Sequence, residues 1–260
     1  MITRYRAWMD GAALDEIADS IYITDIVEPE TQVEVISLPL AGSSGSRLQS
    51  NHRRSKTVLI RLMIREYDVT ARKDVLNDIL TWAQGSALKI NDRENQVLYV
   101  MLDNSPAVSA LKWTETLTLS FSAWQVPYWQ METPIIQIAG NVSEQIFRFA
   151  TDGNVPAPLD FDIVNLGTQG QTVSEVSVSV NDQYSVRFTD LSLQPGETMT
   201  YVHDKHGVLI AKIGERSVLG KMTADSDDEL LTDVKTQINV VTIRASSVVN
   251  IFLYKRWRWM

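Results

Sequence analysis

Apolar and polar residues alternate with a period of two through most of the chain. The clearest case is Thr57–Glu66, whose even-numbered positions from 58 to 64 are valine, isoleucine or leucine. A second is Leu111–Trp124, where Leu117, Leu119 and Phe121 alternate with polar residues. Because successive side chains of a strand point to opposite faces, this spacing predicts half-buried β-strands. Shorter strands are predicted at Ile2–Trp8, Ser20–Val27, Gln32–Ser37 and Gln96–Leu102.

One segment of the first half has helical spacing instead. Thr70 is the predicted N-cap of this helix, and Gly85 is placed at its C-cap. Between them the apolar residues recur at the three- and four-residue intervals of a buried helical face. The stripe consists of Val75, Leu76, Ile79, Leu80 and Ala83. The first half is therefore predicted to be a β domain with one main helix.

The chain changes character at Trp124–Pro134, where two prolines and three aromatic residues end a predicted strand. From there to the end, turn signals recur at intervals typical of a β-sandwich. They are Pro156-Ala157-Pro158, Gly167–Gly170, Asn181-Asp182, Pro195-Gly196 and His206-Gly207. We place a domain boundary near residue 134, with domains at 1–134 and 135–260. The fold class is mainly β, and the second domain is expected to be an antiparallel sandwich.

The last part of the chain is rich in β-forming and aromatic residues. Asn239–Tyr254 reads as two strand-forming runs around a short break at Ala245-Ser246-Ser247. Arginine and tryptophan then alternate over residues 256–259, which would give one cationic and one aromatic face. This pattern predicts a strand built into a sheet and favours a packing role over catalysis.

The segment Leu40–Lys56 separates two predicted strands and contains no acidic residue. It begins with the glycine- and serine-rich composition of a flexible linker and ends with the cations Arg53, Arg54 and Lys56. Two interpretations stay open. The segment is a solvated loop, or it is an arm that orders against a neighbouring subunit. In the second case the three cations are the candidate subunit-interface residues.

The amino-acid composition argues against several classes of protein function. The chain of 260 residues has no cysteine, so neither a disulfide framework nor a thiolate nucleophile is possible. The formal charge of −8, shared by both halves, argues against a protein that wraps nucleic acid. We expect no secretory signal, and no apolar run reaches the roughly 20 residues of a membrane span.

Some segments resemble catalytic or metal-binding motifs, but each lacks a residue or a spacing that the motif requires. Gly214–Met222 resembles a phosphate loop, but it has one residue too many between its glycines and a methionine where a hydroxyl belongs. His203 and His206 are expected to be solvated on a turn, and the acidic run Asp225–Glu229 lacks the glycine of a calcium loop. We therefore predict no catalytic residues, no metal and no cofactor.

Large aromatic residues are the remaining candidates for recognition. They have two open interpretations, because rings that stack on sugars also serve as core or interface anchors. The candidates are Trp124, Tyr128, Trp129, Trp257 and Trp259.

The order of motifs along the chain resembles the distal tail protein family of long-tailed, non-contractile bacteriophages and their prophages. In the first half the resemblance rests on Ile79–Gly85, Ala87–Asp92, Tyr99–Asp103 and Thr116–Tyr128. In the second half it rests on Pro158–Asp162, Leu191–Glu197, Asn239–Ile243 and Leu253–Trp257. It covers nearly the whole length with both domains in order. The basic insertion near residues 42–56 departs from the family pattern.

The resemblance implies a virion structural protein without catalytic activity. Members of the family form a hexameric ring of first domains at the distal end of the tail, and their second domains are galectin-like or carbohydrate-module-like sandwiches. The expected partners are other copies of the chain, the tail tube protein and a tail-tip or tail-associated lysin protein. DNA passes through the central channel, no membrane is entered, and assembly takes place in the host cytoplasm.

Two hypotheses from other classes are kept beside this one. The sandwich could be an adhesion module that binds a cell-wall polysaccharide of the host. The chain could also be a glycan hydrolase, which needs two carboxylates at a defined separation across a cleft. A stable ring in solution would favour the structural hypothesis over both.

Overall fold

The computed structural model describes residues 5–29, 33–39, 46–53, 55–91, 93, 95–103, 107–110, 115–167, 171–227, 229–236 and 238–260. The chain divides into two compact units, Met1–Trp129 and Gln130–Met260. The boundary expected near residue 134 lies a few residues after this division. No helix among the described residues is both long and apolar enough to cross a bilayer.

The described part of the first unit consists of short strands and one α-helix. Its 3-10 turn, Leu14–Glu16, precedes the longer strands. The strands that precede the helix are β1 (Ala7–Met9), β2 (Ala12–Ala13), β3 (Ile21–Val27), β4 (Val33–Pro39), β5 (Ser46–Arg53) and β6 (Lys56–Ile64). The helix α1 (Val69–Trp82) is followed by β7 (Ala87–Ile90), β8 (Gln96–Tyr99), β9 (Met101–Leu102), β10 (Ala107–Ala110) and β11 (Glu115–Ala123), and β12 (Trp129–Met131) spans the unit boundary.

These strands form three antiparallel groups. One sheet has the order β2-β1-β7-β8, and a second has the order β10-β11-β6-β3 with β9 also paired to β11. The third group is the separate two-stranded ladder of β4 and β5. Because β4 and β5 come between β3 and β6 in sequence, this ladder is an insertion between two neighbouring strands of the second sheet.

Strands β6 and β11 confirm the alternation found in the sequence. They pair along nine positions from Glu115↔Ile64 to Ala123↔Lys56. The apolar faces of both strands are buried, whereas Arg61 on the opposite face of β6 is 54% exposed in its side chain. The buried residues are Val58, Ile60, Leu62, Ile64, Leu117, Leu119 and Phe121. Residues 111–114 and 1–4 of the strands expected at Leu111–Trp124 and Ile2–Trp8 lie outside the described residues.

The helix α1 forms in the segment where the helical spacing predicted it, but its N-cap and C-cap are not the predicted residues. Asp68, not Thr70, is the N-cap: its carboxylate accepts hydrogen bonds from the backbone N–H groups of Thr70 and Ala71 at 2.6 and 3.2 Å. The C-cap is Ala83 rather than Gly85. Gly85 follows the helix, where a β-carbon would overlap the side chain of Met9, so close approach explains the glycine.

The burial of α1 also differs in part from the expected stripe. Ile79 and Ala83 are fully buried, but Val75, Leu76 and Leu80 are only half-buried. The indole of Trp82 is buried and donates a hydrogen bond of 2.7 Å to the carbonyl of Ala12. Arg72 is buried with its guanidinium 3.3 Å from Glu115. A charged residue therefore belongs to the inner face, which helical spacing of apolar residues does not reveal.

The interpretation as a solvated loop is wrong for Ser46–Arg53. These residues form β5 and pair in antiparallel register with β4, from Val33↔Arg53 to Pro39↔Ser46, with a register shift at Ile36/Ser37. Polar composition weakens intrinsic strand preference, yet a neighbouring strand that satisfies the backbone groups can override it. We call the hairpin of β4 and β5 the arm. Residues 40–45, which include the glycine-rich start of the expected linker, lie outside the described residues.

The second unit is built from strands that cross the whole unit and shorter ones beside them. The 3-10 turn Leu219–Lys221 is its helical element among the described residues. Its strands are β13 (Ile135–Phe149), β14 (Asp160–Asn165), β15 (Val176–Val180), β16 (Tyr184–Phe188), β17 (Thr198–His203), β18 (Leu209–Ile213), β19 (Arg216–Ser217), β20 (Asn239–Lys255) and β21 (Arg258–Trp259).

Strand β20 organises this unit. On one side it pairs with β13 along nearly its whole length, from Phe149↔Asn239 to Ile135↔Lys255. On the other side its first part pairs with β15 and its last part with β14. The register with β13 shifts around Ala139–Glu144, opposite the Ala245-Ser246-Ser247 break seen in the sequence. The predicted pair of runs is thus one long, irregular strand.

The strands β13 to β20, which belong to one eight-stranded sheet, share a continuous apolar core. The order β16-β15-β20-β14-β17-β18-β19 places β20 in the middle. Buried residues come from alternate positions of every long strand, and the rings of Phe161 and Tyr201 stack at 4.8 Å in the centre. The antiparallel pairing and this core confirm the expected mainly β fold.

Candidate assembly site

The base of the arm is closed by an ion pair. Glu28 follows β3 and Lys56 begins β6, so these two residues flank the arm in the sequence. Lys56 Nζ lies 2.9 Å from Glu28 Oε2, with side-chain exposures of 6% and 20%. A partly buried pair is screened little by solvent, so it holds the two ends of the arm together more firmly than an exposed pair would.

Glu28 has two further partners within the first unit. Arg93 Nε donates to Glu28 Oε1 at 2.9 Å, and Arg93 Nη2 donates to Oε2 at 3.2 Å. The indole Nε1 of Trp129 donates to the same Oε2 at 2.8 Å. The guanidinium of Arg93 also lies over the Trp129 ring, 5.0 Å from its centre. We call Glu28, Lys56, Arg93 and Trp129 the Glu28 junction.

The electrostatics of the junction favour an ionised Glu28. Partial burial by itself raises the pKa of Glu28, but the hydrogen bonds from Lys56, Trp129 and Arg93 and the charge of Lys56 outweigh it and lower the pKa below its ordinary value. One carboxylate thus faces two cations. This arrangement holds chain segments together and supplies no free acid or base, so its role is structural.

The predicted interface cations have different places in the structure. Lys56 is buried in the Glu28 junction of its own chain. Arg53 is the last residue of β5, where its backbone pairs with Val33. Arg54 lies outside the described residues. The interface role of these cations stays a prediction.

The candidate aromatics are also separated by the fold. Trp129 is fully buried in the first unit, and Trp257 is buried in the second, where its ring lies 5.7 Å from that of Phe149. Trp124 is 65% exposed. Tyr128 and Trp259 are half-buried, and the Trp259 indole donates to the carbonyl of Asp152 at 3.2 Å. Burial leaves the rings of Trp129 and Trp257 for packing, whereas Trp124 is accessible.

His203 is not on a solvated turn, and this expectation is wrong. It ends β17 inside the second unit, where its backbone N–H donates to Asp160 Oδ1 at 3.0 Å and its Nδ1 lies 2.8 Å from the same oxygen. Arg256 Nε lies 3.2 Å from Asp160 Oδ2, an ion pair without the alignment of a hydrogen bond. His206 is exposed, as expected. The two histidines therefore do not form a ligand pair.

The remaining candidates from the sequence are the segment that resembles a phosphate loop and the possible metal-binding groups. Gly214 has a φ of 57° and begins the turn between β18 and β19, so Gly214–Met222 is a hairpin followed by a 3-10 turn. No group of three or more histidine, aspartate or glutamate residues in the described part of the chain is placed to hold a metal ion. A half-open cavity of about 300 Å³ lies on the first unit, lined by Trp8, Gly11, Lys89, Ile90 and Asn91.

Comparison with solved structures identifies the fold. The SPP1 Dit protein, described as a paradigm of the hub adsorption apparatus in phages that infect Gram-positive bacteria, superposes with a TM-score of 0.68 at 11% identity. The match covers 97% of this chain and 99% of that one. The chain has a Dit-like fold. The likeness includes both units in the order that the distal tail protein resemblance implied.

Other comparisons add little to this assignment. Chains of the phage P2 baseplate in its activated conformation, with Ca and with Sr, give TM-scores of 0.44 and 0.45 at 8% and 9% identity. These matches cover 99% and 97% of this chain and 98% of each of those chains, but the scores are too low to support an argument. No protein-family model and no curated protein sequence matches the chain.

Sequence reasoning missed the residues that hold the arm. The sequence pattern singled out neither Glu28 nor Arg93. Their pairing joins positions 65 residues apart, and Glu28 and Trp129 are 101 residues apart. A carboxylate shortly before the inserted hairpin and a lysine shortly after it were the available signal, since Glu28 and Lys56 flank the arm.

Proposed function

We propose that this protein is a structural hub of a phage tail, built from a ring of identical subunits at the distal end of the tail. The full-length likeness to the SPP1 Dit protein carries the proposal, because both units match in order. A fold alone does not fix a function. The arm supplies an independent argument for assembly.

The arm has the properties of an intersubunit contact. Among the described residues, β4 and β5 pair with each other and with no other strand. A two-stranded hairpin on its own is at best marginally stable in water, so an inserted one is expected to pack against something. The segment Leu40–Lys56, which contains the second strand of the arm, carries four cations and no acidic residue. An acidic surface of a neighbouring copy fits this charge, and the chain as a whole carries −8.

Contact of the arm with the next copy is a head-to-tail contact. Such contacts use two different surfaces and close into a ring when the rotation per subunit allows. We propose a hexamer, in agreement with the distal tail protein resemblance. One face of the ring would meet the tail tube protein, and the other a tail-tip or tail-associated lysin protein, with DNA passing through the centre. Arg53 and Arg54 are the proposed interface cations, and Lys56 supports them from the arm base.

Light scattering of the full chain at several concentrations tests the proposal, together with electron microscopy. We expect a ring whose mass is a fixed multiple of 29.3 kDa. The double variant Arg53→Glu/Arg54→Glu should weaken assembly by about tenfold or more, since charge complementarity sets docking. Reversal of an exposed cation on α1, Lys73→Glu, is the matched control and should leave assembly unchanged. A strictly monomeric full chain at high concentration would contradict the hub.

A second candidate function is glycan binding by the second unit. Phe252 and Tyr254 lie on the same face of β20 and are half-buried, and the Tyr254 hydroxyl donates to Asp162 Oδ2 at 2.8 Å. An aromatic ring beside a carboxylate is a chemistry that binds sugars. A glycan array with the full chain and with Tyr254→Ala tests this candidate. Binding that is lost in the variant, in a chain that does not form rings, would make the adhesion module the better proposal.

A further inference from the structure

The Glu28 junction connects the arm to the residue at which the first unit ends. Lys56 and Trp129 both contact a single atom, Oε2 of Glu28, at 2.9 and 2.8 Å. Lys56 lies three positions after the last residue of the arm, and Trp129 is the last residue of the first unit. Two segments more than 70 positions apart therefore depend on the position of one oxygen.

The charges make this dependence strong. Glu28 is the acidic member of the junction, whereas Lys56 and Arg93 are both cations. If Lys56 moves away with the arm, the balance of attractions on Glu28 changes in favour of Arg93, whose two nitrogens contact both carboxylate oxygens. A buried ammonium that loses its partner is also costly, so the positions of Lys56 and of the Glu28 carboxylate are energetically coupled.

The packing of Trp129 transmits such a movement. Its ring is fully buried and lies under the Arg93 guanidinium, while its indole N–H donates to Glu28. Rotation of the carboxylate away from the indole would leave a buried donor without its acceptor, which is unfavourable. The hydrogen bond from the Trp129 indole to Glu28 is therefore expected to weaken when the Lys56–Glu28 pair at the arm base opens.

We propose that Glu28 couples the arm to Trp129, so that fixing or releasing the arm changes the stability of the chain segment that leads into the second unit. In the proposed ring, docking of the arm would therefore change the stability of the chain segment at the start of the second unit. The coupling itself lies within one chain and does not depend on ring formation. By linkage it acts in both directions: holding Trp129 in place also favours the arm base.

A described ion pair near the arm, Asp25–Arg61, lacks these features. Asp25 and Arg61 lie on β3 and β6, the two strands that carry the arm, and their side chains are 3.3 Å apart. Both are more than one-third exposed in their side chains. This pair is a matched control, because it joins the same strands without reaching Trp129.

The experiment measures hydrogen exchange of indole N–H groups in the full ¹⁵N-labelled chain by NMR. The Trp129 signal is identified by its loss in Trp129→Phe. In the test variant, residues 33–53 are replaced by a short Gly-Ser linker. Because β3 and β6 remain paired up to Val27↔Leu59, a short linker can join them. A second variant, Lys56→Met, releases the arm base without removing the arm.

We expect both variants to speed exchange of the Trp129 indole by about fivefold or more, within the range of coupling between residues that share a contact. The Trp82 indole, which donates to Ala12 elsewhere in the unit, should change less than about twofold, as expected for an uncoupled site. Arg61→Gln should leave both signals unchanged. In Glu28→Gln the Trp129 indole should already exchange quickly, and loss of the arm should add no further change.

Two results would overturn the proposal. One is a Trp129 indole that exchanges at the original rate in Lys56→Met and in the arm replacement. The other is an equal acceleration at Trp129 and Trp82, which would indicate general loosening of the first unit. The ring measurement is independent of both, so failure of the hub proposal and failure of this coupling can be told apart.

Discussion

His203 Nδ1 lies 2.8 Å from Asp160 Oδ1 in the interior of the second unit. An ionised carboxylate can only accept, so the imidazole donates from Nδ1. The same oxygen accepts the backbone N–H of His203, and the guanidinium of Arg256 contacts the other oxygen. Asp160 is thus the point at which the end of β17 and the segment after β20 are tied to the start of β14.

Asp160→Ala should destabilise the second unit strongly. The change leaves the backbone donor of His203 and the Arg256 cation without their acceptor, and breaking a buried pair in this way costs about 3–5 kcal/mol. Chemical denaturation of the full chain, followed by a probe in the second unit, measures the loss. His206→Ala is the control, since an exposed residue should change stability by less than about 0.5 kcal/mol. Equal effects of the two variants would contradict the role of Asp160.

Burial along α1 predicts unequal costs for two apolar residues of the same helix. Ile79 is fully buried and Leu76 only half-buried. Ile79→Ala should therefore lower the free energy of unfolding of the first unit by about 2–5 kcal/mol, through lost transfer energy and the cavity that remains. Leu76→Ala should cost clearly less. Denaturant titration of both variants checks the order, and a smaller loss for Ile79 than for Leu76 would contradict the packing described.

Acid should weaken the first unit through Glu28. The folded pKa of Glu28 lies below its ordinary value of 4.5, so its stabilising contribution is fully present above pH 4.5 and is lost as the pH falls through the folded pKa. The stability difference between the original chain and Glu28→Gln should therefore be large at neutral pH and shrink below pH 4.5. Denaturation curves at several pH values measure it. A difference that is constant with pH would contradict an ionised Glu28 in the junction.

The second unit should fold by itself. Its apolar core is continuous and draws on residues between Phe147 and Trp257, all within Gln130–Met260. A fragment of residues 130–260 should unfold cooperatively on heating, as small single domains do. Circular dichroism and calorimetry provide the measurement. A fragment without a thermal transition would show that its core is incomplete.

Local pattern was sufficient to predict most of the strands and several turns. The alternation in β6 and β11 gave the correct buried faces, because a strand's side chains reverse direction at every residue whatever surrounds it. Asn181-Asp182 was correctly seen as a turn signal: both residues have positive φ, 55° and 54°, as tight hairpin turns require. The distal tail protein resemblance rested on the order of such elements.

Tertiary structure alone decided what holds these elements in place. The sequence pattern did not single out Glu28, placed His203 on a solvated turn, and left Ser46–Arg53 open between a solvated loop and an arm. Each judgement came from composition near the residue. Glu28 pairs with Arg93 and Trp129, His203 with Asp160 and β5 with β4, so their surroundings are set by chain segments brought together in the fold. Periodicity is a property of neighbouring residues, whereas burial, ion pairing and strand pairing depend on which distant residues the fold brings into contact.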